Sequence, residues 1–499
     1  MLDNILMEKA EADVAGQRYK DAVGRAESIQ IEKLCRGEEA RVRKLFLSIP
    51  EEERAVSPTH CLQEIQLCLL SGETANIQRW YSRLLSMRDS VKEGSPARSE
   101  LEKYINLAGI LRPMTGDAKL LLLLAVMFND SGAGPAERVY VSVTGKQPHI
   151  IHGRKDVLDW CQHYGAVTSI MRPLMKSSRS GYDSGVIECA RGEMFYERGD
   201  LNDATMENAV ALTSEDPEVL FASYALLARL YSLDPSAQNH ERVLEHIGKI
   251  LDEKGADWLL PNYNALRVRF SLLGGDTTEA EKWLSSCGSE WDGVVPDTYY
   301  EMATKARVYI ALGRHREAMS LLQQLMSVLE GDVRPYDRAQ CLAYEAVVCE
   351  QLGSEKEALQ KLDEALHLME PFGFVRVFAD IGTQMLHLLL RYVKETAPQS
   401  SFARYVTKVT EAAKGYSLLW PRYLAAGAEG GESAEPVNFT AMEAQILQLL
   451  GDGKSNGEIA DALSVKLPTV KFHLKNIYEK LDVSSRTAAL SAAKKRNLL

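Results

Sequence analysis

No stretch of this chain is apolar for long enough to cross a bilayer. The longest apolar run, residues 120–128, covers about half of the roughly 20 residues that a spanning helix needs. The start, Met1-Leu2-Asp3-Asn4, has neither a basic n-region nor an apolar h-region, so no signal peptide is expected. CxxC pairs are missing too. Cys35, Cys61, Cys68, Cys161, Cys189, Cys287, Cys341 and Cys349 mostly sit inside apolar helical runs, as buried free thiols of a reducing compartment do. Cys61/Cys68 and Cys341/Cys349 lie seven and eight apart, the spacing of a helix core stripe rather than a zinc site. The expectation is a cytoplasmic protein with no membrane partner.

Strand-like alternation is nearly absent. The single candidate, RVYVSV at 138–143, reads equally as a buried helix or an extended link. The rest is helical periodicity broken by short Gly/Asp/Pro segments, so the expected fold class is all-α. Catalytic constellations are also lacking: no Ser/His/Asp or Cys/His set can be argued, and no enzyme activity is expected. Gly453-Lys454-Ser455 imitates the end of a phosphate loop, but the loop needs Gly at 448, which is Gln. Thr144-Gly145-Lys146 fails likewise, with Tyr at 140. His149, His152 and His163, near Asp156 and Asp159, match no standard zinc spacing and read as a polar connector between helical units. Neither a cofactor nor a metal is expected.

Positive charge is scarce overall, with a formal net charge of -11 over 499 residues, yet it is unevenly placed. From Asn438 onward nine Lys/Arg face six Asp/Glu, a net of +3, so the remainder carries -14. A weakly basic end on an acidic body points to nucleic acid at that end. Residues 427–436, GAEGGESAEP, are small, acidic and without periodicity. They mark a flexible linker, set at 425–437, between a body of residues 1–424 and a tail of 438–499.

The body carries a repeat. Gly313-Arg314-His315-Arg316-Glu317-Ala318 recurs as Gly353-Ser354-Glu355-Lys356-Glu357-Ala358. Gly275 with Ala280, and Gly199 with Ala204, precede them, at spacings of 76, 38 and 40. The first spacing is two periods, with a degenerate unit near Leu233-Asp234; Gly72-Glu73-Thr74-Ala75 suggests another unit upstream. Each Gly should end a helix at positive φ, and each small Ala should let two helices approach. Leu321, Leu322 and Leu325 follow in one unit, and Leu359, Leu362 and Leu366 in another. This is a helix-turn-helix repeat of the tetratricopeptide type, stacked into a superhelix. Trp80, Tyr81, Tyr299, Tyr300, Tyr344 and Trp420 are expected mostly in repeat cores, with a few free to line a ligand groove.

The tail spells four short amphipathic helices. Thr440 with Glu443 forms a capping box for the first, which buries Ile446, Leu449 and Leu450 and ends at Gly451 to Gly453. Ser455 or Asn456 caps the second, with Ile459, Ala460 and Leu463 inward. Pro468 suits the first turn of the third, where Val470, Leu474, Ile477 and Leu481 form the core stripe. That leaves Lys471, Phe472 and Lys475 outside, placed to meet base edges: Lys can donate to guanine O6/N7 and Phe can meet a thymine methyl. Lys454, Thr469, Asn476 and Arg486 are placed for phosphate contacts. The fourth helix, about 485–496, offers Ala489, Leu490 and Ala493 as a seam.

On SNGEIADAL, TVKFHLKNIYEKL and the following VSSR, the tail resembles the LuxR-type (GerE-like) helix-turn-helix domain of bacterial transcription regulators. The resemblance implies base contacts from Lys471, Phe472 and Lys475 and pairing through the last helix. Met442, Lys466 and Asp482 depart from the residues frequent in that family, where Arg, a Ser cap and Gly are common. Losing a Ser cap at Lys466 costs about 1 kcal/mol, partly offset by Pro468. The body resembles the MalT-like regulators on Ile49-Pro50, on VTGKQPHIIHGRKDVLDW from Val143 and on GFVRVFADIG from Gly373. Those regulators normally begin with an ATPase module, and this chain is expected to start where that module has ended. Regulation then lies with a longer form, a separate partner or the repeats alone.

The expected function is a sequence-specific transcription regulator. It would bind double-stranded promoter DNA as a homodimer, with a small-molecule or protein effector acting on the repeat body. The alternative is a repeat scaffold working through protein partners, its DNA-binding tail vestigial. A third reading, an ATP-gated switch, needs nucleotide binding, for which the phosphate-loop signals above are inadequate.

Overall fold

The structure is a computed structural model. It describes the whole chain apart from residues 1, 36–37, 71–72, 112–139, 141, 143, 155, 159–184, 234–238, 288–297, 330–333, 397–399, 422, 425–438, 482 and 496–499. Every regular element among the described residues is helical, and the one isolated bridge joins His152 to Asp156. The chain is all-α. Tyr140 and Ser142, the described members of the candidate strand, are not in one; the apolar run 120–128, Cys161, His163 and the proposed linker lie outside the described residues.

The repeat takes the form its sequence implies. Five helix pairs succeed one another: Gly185–Arg198 with Leu201–Ala211, Pro217–Tyr231 with Asn239–Glu253, Leu260–Ser271 with Thr278–Ser286, Tyr299–Ala311 with His315–Leu329, and Pro335–Gln351 with Glu355–Met369. The second pair is the degenerate unit; its connection, 234–238, lies outside the described residues. Gly199, Gly275, Gly313 and Gly353 sit at the turns with φ of 83°, 80°, 69° and 81°. A side chain there meets the following carbonyl at a cost of roughly 1–2 kcal/mol, which is why the repeat keeps Gly. Ala204, Ala280, Ala318 and Ala358 are fully buried in the second helices, where a longer side chain would hold the pair apart. Leu321, Leu322, Leu325, Leu362 and Leu366 fill the core between units. Local signals agree with the packing: Asp216 caps the helix opened by Pro217, accepting from the Glu218 and Val219 amides at 2.8 and 3.2 Å.

Helices Thr383–Thr396 and Ser400–Leu419 close the body. One hydrophobic cluster runs from Ile150 to Leu424. Upstream, helices from Leu2–Ala15 to Pro96–Leu111 hold separate cores, one around Phe46 and one around Trp80 and Tyr104. The thiols of Cys61, Cys68, Cys189, Cys341 and Cys349 are buried, and those of Cys35 and Cys287 are half-buried.

A polar segment, residues 144–154 and 156–158, is packed against the repeat helices. Such a segment is stable inside only if its backbone is satisfied. Buried carboxylates provide this. Glu193 accepts from the amides of Ile150 and Ile151 at 3.0 and 2.9 Å, and Glu218 from the Thr144 hydroxyl at 2.8 Å. Arg334 donates to the carbonyls of His152 and Gly153 at 2.8 and 2.9 Å. Gly153 is obligatory, because a Cβ there would lie 2.4 Å from the His149 carbonyl. The segment thus threads together units far apart in sequence, from Glu193 to Arg334.

Candidate nucleic-acid interface and effector cavity

The tail is built from helices Ala441–Gly451, Asn456–Ala462, Leu467–Lys480 and Arg486–Lys495. Two complete capping boxes start the first two. Thr440 Oγ1 accepts from the Glu443 amide at 3.2 Å while Glu443 accepts from the Thr440 amide at 2.9 Å. Ser455 and Glu458 repeat this at 3.3 and 2.8 Å, so Ser455 is the cap rather than Asn456. The tight turn into the third helix places Ser464 at φ 54° and closes with the Val465 amide on the Ala460 carbonyl at 2.9 Å. Lys466 caps the third helix without a side-chain hydrogen bond, and Pro468 lies in its first turn.

Val470, Leu474, Ile477 and Leu481 are buried, joined by Ile446, Leu447, Leu450, Ile459, Ala489 and Ala493. Leu449, Leu463 and Leu490 pack at the edge of this core. Packing on that side turns Lys471, Phe472 and Lys475 to solvent. Phe472 is 61 % exposed, unusual for so large an apolar side chain, and its ring stands edge-on to His473 at 5.5 Å. Lys475 has only a loose ion pair to Glu479, 3.6 Å away on the same helix and itself exposed; pairs of that kind contribute little. Lys454 and Thr469 are exposed and Asn476 half-buried. Arg486 is half-buried, with Nη2 donating to the carbonyls of Leu450 and Lys454 at 3.3 and 2.8 Å, so it ties down the loop that carries Lys454.

One ion pair locks the exposed helix to the first. Lys480 Nζ lies 2.6 Å from Glu443, whose side chain is almost fully buried. Burial opposes the charge on Glu443, but Lys480 and the Thr440 amide outweigh it and hold the carboxyl below its ordinary 4.5. A folded-state value below the unfolded one adds stability that is complete above about pH 5 and is lost as pH falls through the folded value. Thermal unfolding of the tail should therefore weaken from pH 7 to pH 4 by more in the native chain than in Glu443→Gln; equal slopes would show that this carboxylate is not the linked group.

The tail core continues into the body. Leu418 and Leu419, at the end of helix Ser400–Leu419, belong to the same cluster as Phe439 and Ala444. Trp420 packs beside them and donates from Nε1 to the Ser232 carbonyl at 2.9 Å. Lys471, Phe472 and Lys475 remain uncovered.

Within the repeats, about 700 Å³ of atom-free space, counting its open mouth, is lined by residues from every unit. Tyr300 and Tyr344, foreseen as possible groove residues, are here, with Tyr336, Tyr416 and Tyr423. His149 and His152 stack on each other at 4.0 Å, and His152 on Tyr336 at 3.9 Å. Burial lowers both histidines, leaving them uncharged at neutral pH. His152 Nδ1 lies 3.3 Å from Asp337, and among the described residues no group of three or more His, Cys, Asp or Glu could hold a metal ion. Four arginines face the space: Arg229, Arg269, Arg307 and Arg376. Arg229 is paired with Glu197 at 2.5 Å and with Asp380 at 3.6 Å, and Arg376 is paired with Asp380. Sequence reading missed these arginines, although Arg229, Arg269 and Arg307 lie 40 and 38 residues apart, on the period of the repeat itself.

Residues 179–395 match the model of the MalT-like TPR region, and residues 437–493 that of the bacterial regulatory proteins of the LuxR family. The chain joins a MalT-like tetratricopeptide region to a LuxR-family helix-turn-helix domain. It is similar to the HTH-type transcriptional regulator MalT of Vibrio campbellii, 25% identical over 298 residues, 58% of this chain and 33% of that protein. The MalT of Vibrio parahaemolyticus gives the same figures, and that of Serratia proteamaculans is 26% identical over 306 residues, 59% of this chain and 34% of the relative. The chain therefore spans about a third of the length of these relatives.

Proposed function

We propose that this protein is a sequence-specific transcription regulator, with residues 1–424 as a signal-receiving body and 438–499 as its DNA reader. The carrying observation is the uncovered face of helix Leu467–Lys480, where Lys471, Phe472 and Lys475 project together while Val470, Leu474 and Ile477 are buried behind them. Inserted in a major groove, the two lysines donate to guanine edges and Phe472 meets a thymine methyl. Lys454, Thr469, Asn476 and Arg486 hold phosphates on either side. A tail charge of +3 supplies few phosphate contacts, so a single copy binds weakly and pairing on double-stranded promoter DNA makes the reader effective. The regulators named MalT support this reading, which places the protein in the cytoplasm with no enzymatic role.

The signal enters through the repeats. Tyr416 and Tyr423 line the cavity and flank Leu418, Leu419 and Trp420, which touch the reader. An effector filling that space, small molecule or protein segment, bears directly on the reader's support.

The test uses the full chain and a site selected from random DNA. Lys471→Ala and Lys475→Ala should each lower preference for that site over random DNA by about tenfold, the effect of one lost base contact. Equal loss on both DNAs would assign the lysines to phosphates; recovery of no enriched site, with a stable protein partner instead, would favour the scaffold reading.

A further inference from the structure

Around the cavity the charges do not balance. Glu197 and Asp380 neutralise Arg229 and Arg376. Arg269 has no carboxylate partner among the described residues: it donates to the Thr304 hydroxyl at 2.6 Å and the Tyr300 carbonyl at 3.0 Å, and stacks over the Tyr300 ring at 3.6 Å. Arg307 has none either. Its Nε is buried without a hydrogen-bond partner, and its guanidinium lies 4.8 Å from the Tyr344 ring centre. Burial, then the charge of Arg307, pulls Arg269 down to about 10, whereas burial of Arg307 is outweighed by the tyrosines around it, Tyr344 first, which hold it above its ordinary value. Buried charges are ordinarily paired. Here two guanidinium groups, each with donors to spare and each stacked on a tyrosine, face open space.

We propose that the cavity binds a small organic oxyanion, a carboxylate or phosphate ester on an aromatic or apolar body, with its charged end between Arg269 and Arg307. Planar guanidinium groups match the oxygens of either anion, and Tyr300 and Tyr344 supply aromatic walls for the uncharged part. This rests on the reading that the body receives a small-molecule signal and names the chemical class of that signal. Sequence period explains how the site arose: Arg269 and Arg307 occupy successive repeats at a spacing of 38, so superhelical stacking brings them together.

The experiment is thermal unfolding and calorimetric titration of the full chain with benzoate, phenyl phosphate and the neutral isostere benzamide at millimolar concentration. At least one anion should raise the unfolding midpoint and benzamide should not; the pair of anions separates carboxylate from phosphate. Arg307→Gln should weaken the bound anion by about tenfold, the effect of removing a charge-assisted contact. Without ligand, Arg307→Gln should unfold at the native midpoint or above it, because it removes a half-buried charge that has no carboxylate partner among the described residues. Stabilisation by benzamide equal to that by the anions would overturn the proposal while leaving small-molecule sensing intact. No shift with either anion would overturn it, as would a ligand-free Arg307→Gln chain that melts well below the native one.

Discussion

Glu197→Ala lowers the stability of the repeat body by about 3 kcal/mol, the lower end of the range for orphaning one partner of a buried ion pair. Glu197 is fully buried; its carboxylate pairs with Arg229 at 2.5 Å and accepts from the Tyr336 hydroxyl at 2.9 Å. Removing it leaves Arg229 with Asp380 alone, 3.6 Å away and already shared with Arg376. That residual pairing keeps the loss from being larger. The damage lies in the stranded charge rather than in lost attraction, so Arg229→Met added to Glu197→Ala should recover part of it. Denaturant unfolding of the four chains in a double-mutant cycle measures the coupling. A double variant no more stable than Glu197→Ala would contradict the account.

Leu474→Ala should cost the reader about 2–5 kcal/mol, the usual range for emptying a core leucine site. Leu474 is 4 % exposed, sits on the inner side of helix Leu467–Lys480 and packs with Val470 and Ile477. A domain of this size buries a small core and has little stability in reserve. DNA binding should therefore fall on cognate and random DNA alike, while the main unfolding transition of the body stays in place. That pattern is opposite to the selectivity loss expected of Lys471→Ala, and the comparison separates folding from reading. A Leu474→Ala chain that binds DNA like the native one would mean that the helix is held by something other than its core.

The reader was legible almost residue by residue because its signals are local. Capping at Thr440 and Glu443, the proline at 468 and the 470-474-477-481 stripe each act within a few positions, and each lies where its sequence pattern puts it. Glycine and alanine marked the repeat for the same reason: positive φ and close helix approach are properties of single positions. The cavity was not legible. Tyr300 and Tyr344 were noticed as aromatics, but Arg229, Arg269, Arg307, Tyr336, Tyr416 and Tyr423 come together only after five helix pairs stack. The polar segment with His149 and His152 read as a connector, yet it is buried against the repeats because carboxylates more than 35 residues away satisfy its amides. Long-range polar satisfaction of this kind leaves no periodic trace; for the cavity, the arginine spacing alone gave a hint.

Leu418 and Leu419 have a consequence for modularity. A chain of this design invites division in the Gly-rich stretch 427–436, as though body and reader were interchangeable parts. The hydrophobic core of the reader disagrees, for it is completed by two leucines from the far side of that stretch, next to a tryptophan anchored on Ser232. A reader transplanted without them carries an open seam, and a foreign reader grafted onto this body meets an apolar socket cut for Phe439 and Ala444. Packing thus bridges the two parts across that stretch, and exchange of readers between such proteins is constrained by Leu418, Leu419 and Trp420 at the end of the body.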